Sequence, residues 1–112
     1  MKQLEFWEKI RVFFAKYDLL LTPTLAVPPF KVGINSPEEI NGRKVEPYAW
    51  VPFTMPFNVT GQPAASVPCG FNDDGLPVGL QIVGKRYDEA TVLKAAAVFE
   101  KAKPWSDRIP PL

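Results

Sequence analysis

Three serines, Ser36, Ser66 and Ser106, one cysteine, Cys69, and no histidine make up the nucleophile-and-base inventory of this 112-residue chain. Without histidine, neither a Ser-His-Asp nor a Cys-His arrangement can form within one chain, and the commonest metal ligand is missing as well. No Cys and carboxylate spacing fits a metal and no glycine-rich loop fits a phosphate, so no cofactor is expected. Asp73 and Asp74 are adjacent carboxylates, but they stand in a turn sequence, where such residues serve the backbone. A reactive thiol wants a helix start or a cationic neighbour. Cys69 has neither in sequence and reads as a small buried hydrophobe, in period two with Val67 and Phe71. The remaining polar groups of interest concentrate in two places. Thr22 and Thr24 flank Pro23 directly after an apolar run, and residues 56–70, PFNVTGQPAASVPCG, set Asn58 and small polar residues among three prolines and two glycines.

The elements that must position these groups are partly legible. Phe6, Ile10, Phe13, Phe14 and Tyr17 recur on one face of a helical period, which predicts an amphipathic helix over residues 3–16. Leu19, Leu20 and Leu21 follow at once and read as a short strand covered on both faces. Thr22 and Thr24 then fall at its C-terminal end, the edge at which open α/β sheets gather ligands; alternatively, their hydroxyls satisfy turn backbone beside Pro23. Residues 64–71 and 76–85 flank Asn72-Asp73-Asp74-Gly75 and predict a hairpin. Pro68 cannot donate to a ladder, so it belongs at an edge, a bulge or the unpaired side. A last helix starts at the capping residue Asp88, buries Val92, Ala95, Ala96 and Phe99, carries Lys101 and Lys103 near its negative end, and stops before Pro104.

Length and composition limit the rest. A chain this short has core enough for one domain. Its hydrophobic fraction of 46%, charged fraction of 22% and net charge of +1 are those of an ordinary globular protein, and a nucleic-acid surface has no footprint. No signal pattern or membrane-length apolar run is present, and a single cysteine agrees with a reducing compartment, so a cytoplasmic location is expected.

Residues 23–62 are the anomaly. This stretch carries Pro28, Pro29, Pro37, Pro47, Pro52 and Pro56 and shows neither a helical nor a strand period, yet it is rich in Phe30, Tyr48, Trp50, Phe53 and Phe57. A long loop of that kind is functional or disordered, and its apolar content speaks against disorder. Two helices and three strands offer it little surface. The expectation is that the chain covers a larger body, in a partner or in a missing part of a parent fold.

Four stretches, 18–24 (DLLLTPT), 56–71 (PFNVTGQPAASVPCGF), 74–85 (DGLPVGLQIVGK) and 88–91 (DEAT), resemble in wording, order and spacing the C-terminal quarter of amidase-signature enzymes. The resemblance covers nearly the whole chain. It implies an α/β fragment of an α/β/α architecture, and hydrolysis of carboxylic amides by a serine nucleophile, a second serine in a cis peptide and a lysine. Those catalytic residues belong to a Gly/Ser-rich signature and an upstream lysine that this sequence lacks, so no catalytic residue is assigned. By the same resemblance Thr22, Thr24 and Asn58 line the substrate pocket of the complete enzyme, although Asn58 can equally bond neighbouring backbone. Members acting on glutamine carry an acidic residue where this chain has Val51, which favours an apolar or aryl amide as the parent's substrate.

Three readings compete, and the first is the one expected. The chain is the C-terminal part of an amidase, inert alone; or it is half of a split enzyme, with Trp7, Phe14, Trp50 and Phe53 as interface anchors; or it is a self-associating module that reuses the fold. A homo-oligomer or a missing catalytic portion is the expected partner, with a small amide bound only by the complete enzyme.

Overall fold

A computed structural model describes residues 2–111. The first amphipathic stretch forms helix α1, Lys2–Lys16, and turns Ile10 and Phe14 inward. Tyr17 caps the helix through its N–H to the Phe13 carbonyl (2.9 Å). It stacks on the Phe13 ring at 4.8 Å but remains 47% exposed, so the buried stripe ends one turn earlier than its periodicity predicts.

Strand β1, Leu19–Pro23, runs antiparallel to a strand almost sixty residues away. That partner is the second arm of the predicted hairpin, in which β4, Ala64–Phe71, pairs with β5, Pro77–Gly84. The three strands are ordered β1-β5-β4, all antiparallel. The turn between β4 and β5 closes as its residues dictate. Gly75 has φ +77°, its N–H donates to the Asn72 carbonyl (2.9 Å), and Asn72 Oδ1 accepts from Leu76 N–H (2.8 Å). Asp73 and Asp74 are exposed in that turn.

Pro68 lies on the edge strand β4, and the register slips between Pro68 and Gly70. A bulge there removes the need for the donor that proline lacks. It also breaks the two-residue alternation expected around Cys69. The thiol is half-buried and donates to the Val78 carbonyl at 3.4 Å.

Residues directly opposite across antiparallel strands share a face, and the two faces of this sheet are covered by different helices. On one face Val67 and Ile82 pack against Val92 of helix α3, Glu89–Ala102, together with Ala95, Ala96 and Phe99. On the other, Val83 and Leu20 meet Ile10 and Phe14 of α1 and Phe57. Val83 has no exposed surface at all. Close packing is enforced at Gly84, where an added Cβ would stand 2.5 Å from Val92 Cγ2. The start of α3 is fixed by Asp88, whose carboxylate accepts from the Thr91 hydroxyl (2.6 Å) and the Thr91 N–H (3.3 Å).

Two expectations about coverage are corrected. Leu19 and Leu20 pack into the clusters on opposite faces of the sheet, but Leu21 is 57% exposed, so the cover of β1 on the α3 face stops short of its third leucine. Phe14, an interface anchor in the split-enzyme reading, is a core residue, because β1 and β5 bring Leu20 and Val83 beneath α1.

The proline-rich stretch is less irregular than its composition suggests. It contains a two-residue hairpin, β2 Glu39–Ile40 with β3 Arg43–Lys44. Asn41 and Gly42 form its turn, both at positive φ (50° and 75°), as a tight Asn-Gly turn requires. It also contains a short helix, α2, Met55–Thr60, with proline in its first turn and Gly61 closing it at φ +75°. The rest is turns and irregular chain, tied to the sheet by the bond from Thr24 N–H to the Gly79 carbonyl (3.0 Å) and to itself by the bond from Ala26 N–H to the Trp50 carbonyl (3.2 Å).

The result is a slab of 43 × 38 × 19 Å. Its radius of gyration is 15.9 Å, against about 13 Å for a compact domain of this length.

Candidate functional site

At the end of β1 the strand delivers Thr22 and Thr24 to the same region of the sheet, but the two hydroxyls have different fates. Thr22 is opposite Gln81 in the register. Its hydroxyl donates to the Pro23 carbonyl (2.8 Å) and accepts from the Gln81 amide (2.9 Å). Gln81 is buried, and the same Nε2 also donates to the Phe53 carbonyl at 2.8 Å. Thr22 is therefore engaged within the fold, as part of a pin that fastens the proline-rich stretch to the sheet.

Thr24 is placed differently. Its hydroxyl lies 2.7 Å from that of Ser66 on β4, across the backbone of Gly79. A Cβ on Gly79 would come within 2.7 Å of both oxygens. The glycine is thus the condition for the hydroxyl pair to sit over the middle strand. Around it opens a groove of about 510 Å³, walled by Leu25, Pro28, Pro68, Pro77 and Val78. Its size is that of a small-molecule site and its lining is mostly apolar with one convergent polar group.

Asn58 is exposed on α2 and does not line this groove. The structure brings Thr24 to the groove and leaves Thr22 beside it and Asn58 apart. Ser66 and Gly79, which complete its floor, were not singled out by the sequence. A signal existed: within the run 78–83 the small and polar residues Gly79 and Gln81 alternate with apolar ones, on the same face as Ser66.

A second, smaller hollow of about 270 Å³ lies between Trp7, Phe14, Gln62 and the cations Arg11, Lys85 and Arg86. Arg11 is held by Glu8 (2.9 Å) and Lys85 by Asp18 (3.0 Å), both pairs well exposed. Among the described residues no group of three or more Cys, Asp and Glu side chains is gathered to hold a metal ion. No serine there hydrogen-bonds a lysine; the Ser66 partner is Thr24. Asp88 has its carboxyl held below the usual carboxylate range, chiefly by the Thr91 hydroxyl, which desolvation opposes and which the Thr91 N–H and the charges of Lys85 and Lys94 reinforce. That perturbation belongs to helix capping. No helix of the described residues is long and apolar enough to cross a membrane.

Comparison with known proteins gives a consistent picture. A profile of the family described as Amidase matches residues 1–93. The chain is 44% identical over 99 residues to a glutamyl-tRNA(Gln) amidotransferase subunit of Shouchella clausii (strain KSM-K16), covering 88% of this chain and 19% of that protein. It is 39% identical over 108 residues to an acylamidase of Rhodococcus erythropolis, covering 95% of this chain and 22% of the relative. Among solved structures, a bacterial aryl acylamidase of the amidase signature enzymes superposes with a TM-score of 0.83 at 38% identity, over 94% of this chain and 22% of that one. The chain therefore spans about a fifth of the length of the relatives it matches.

Proposed function

The chain belongs to the amidase family, and we propose that it is the C-terminal part of a cytoplasmic hydrolase of carboxylic amides, unable to cleave an amide by itself. The observation that carries the reading is a mismatch of coverage. The chain is matched along 95% of its own length by an acylamidase of which it represents 22%, and its Ser36, Ser66 and Ser106 stand in no Gly/Ser-rich setting that would supply an activated nucleophile and an oxyanion hole.

In the complete enzyme this part contributes pocket wall. Thr22, Thr24 and Asn58 are the residues assigned to it, and Thr24 is supported by its place in the groove. Val51 at the position where glutamine-acting members carry an acid favours an apolar or aryl amide as substrate.

The flattened slab and its exposed Leu21, Val32, Tyr48, Leu93 and Val98 favour a covered state in practice, with the catalytic portion or with a second copy of the chain. The test is an assay of the repurified chain against simple aliphatic and aryl amides. No hydrolysis above background is expected. Turnover that follows the chain through repurification would overturn the proposal.

A further inference from the structure

The smaller hollow, between α1 and the residues that follow β5, is lined by three cations, Arg11, Lys85 and Arg86, one neutral amide, Gln62, and no carboxylate. Two of the cations already have partners. Arg11 holds Glu8 through two nitrogens (2.9 and 3.1 Å), and Lys85 bonds Asp18 (3.0 Å). Among the described residues Arg86 pairs with no carboxylate. Its guanidinium lies over the Tyr87 ring at 5.1 Å, and its Nε is 3.7 Å from the place a Cβ on Gly61 would take. Tyr87 itself has φ +66°, in a turn closed by the bond from Asp88 N–H to the Lys85 carbonyl (3.0 Å). Such a backbone suits glycine or asparagine, so a tyrosine there carries a local cost. Strained positions of this kind gather at ligand sites. The rest of the lining, Trp7, Phe14 and Ala15, is apolar, with Trp7 only half-buried.

We propose that this hollow binds a small aromatic carboxylate, with the carboxylate against the Arg86 guanidinium and the ring on Trp7. A concave lining of positive charge without a carboxylate favours an anion. The planar fork of arginine matches a carboxylate through two parallel hydrogen bonds, and an indole flank suits a flat ring. The volume of about 270 Å³ is just below that of sites for drug-sized ligands, as a single ring with its carboxylate requires. Arg11 and Lys85 add attraction that Glu8 and Asp18 already offset in part. Every group invoked belongs to this chain, and none is assigned to the pocket of the proposed amide hydrolase.

The test is a titration of the full-length, ¹⁵N-labelled chain with benzoate, read by two-dimensional NMR at low ionic strength, beside benzamide, acetate and inorganic phosphate. Saturable shifts are expected at the Trp7 indole N–H and around Gln62 and Arg86. Benzamide, the same shape without the charge, should bind about tenfold more weakly or worse, the loss of a charge-assisted pair. Acetate and phosphate, which lack the ring, should bind about fivefold more weakly or worse. Arg86→Gln should weaken benzoate binding about tenfold, and Arg86→Lys should recover little of it, because a point charge does not replace the fork. Arg11→Gln and Lys85→Gln should each cost about twofold. Trp7→Leu should narrow the gap between benzoate and acetate; if it does not fold, the arginine variants decide alone. Benzamide or phosphate binding as tightly as benzoate, equal losses at Arg11, Lys85 and Arg86, full recovery by Arg86→Lys, or shifts that do not saturate would overturn the proposal.

Discussion

The sheet with its two helices and the proline-rich stretch 24–62 are built on opposite terms. In the first, Val83, Ile82 and Val92 are nearly or wholly removed from water, and each face of the sheet has its own helix. In the second, Val32, Ile34 and Tyr48 are exposed, and the segment is fastened at a few points, of which Phe57 in the core beside α1 and the buried Gln81 amide on the Phe53 carbonyl are the chief ones. One region carries its own reason to fold. The other has apolar surface to spare and little within the chain to place it against, as the proposed origin in a larger hydrolase requires.

That contrast can be broken by mutation, and the largest effect should come from the sheet region. Phe14→Ala removes a ring packed against Val83, Ile10 and Phe57 and should cost about 3–5 kcal/mol in chemical denaturation. Tyr48→Ala, in the other region, should change stability by about 0.5 kcal/mol or less. Equal losses at the two sites would erase the distinction.

An intermediate effect is expected where the two regions are joined. Gln81→Leu leaves the Phe53 carbonyl and the Thr22 hydroxyl without their shared donor, and an orphaned buried polar group costs about 1–3 kcal/mol. Limited proteolysis should then cut faster within 24–62 while the hairpin and α3 stay protected. Uniform loss of protection would mean that the segment is part of the same cooperative unit as the sheet.

The smallest effect lies at Asp88. Its folded-state carboxyl is held below the ordinary value, chiefly by the Thr91 hydroxyl. The cap's contribution is therefore complete above the unfolded aspartate value of ~3.9 and is lost as pH falls through the lower folded value. Asp88→Ala should give a small loss at neutral pH and a flatter stability profile below about pH 4, and Asp88→Asn should recover most of the neutral-pH loss. A parent and an alanine variant with parallel acid profiles would remove the cap from the account.

What could be read from the sequence follows the same division. Helix α1, the hairpin at Asn72-Asp73-Asp74-Gly75 and helix α3 with its Asp88 cap are encoded by residues close together in the chain, and each appears where its spacing places it. The pairing of β1 with β5 joins Leu19 to Gly84, and no local pattern specifies such a partner. Exposure of Leu21 was hidden for the same reason, since an apolar triplet does not reveal how far the covering helix reaches along its strand. Other misses were legible in principle. Asn41-Gly42 is a strong short hairpin signal, and Pro56 ahead of Gly61 marks the start and stop of α2. The position of Thr24 just after a strand can be read from the chain, whereas its meeting with Ser66 over Gly79 follows only once the register is known.

The most direct measurement supplies the missing neighbours. An aryl acylamidase lacking the portion that this chain matches is purified separately, mixed with the 112-residue chain, and assayed on an aryl amide. The predicted result is no hydrolysis by either component alone and restored hydrolysis by the mixture, with the two comigrating in sedimentation. Hydrolysis by the chain alone, or a truncated body just as active without it, would contradict the claim that this chain is a wall of the enzyme and not its engine.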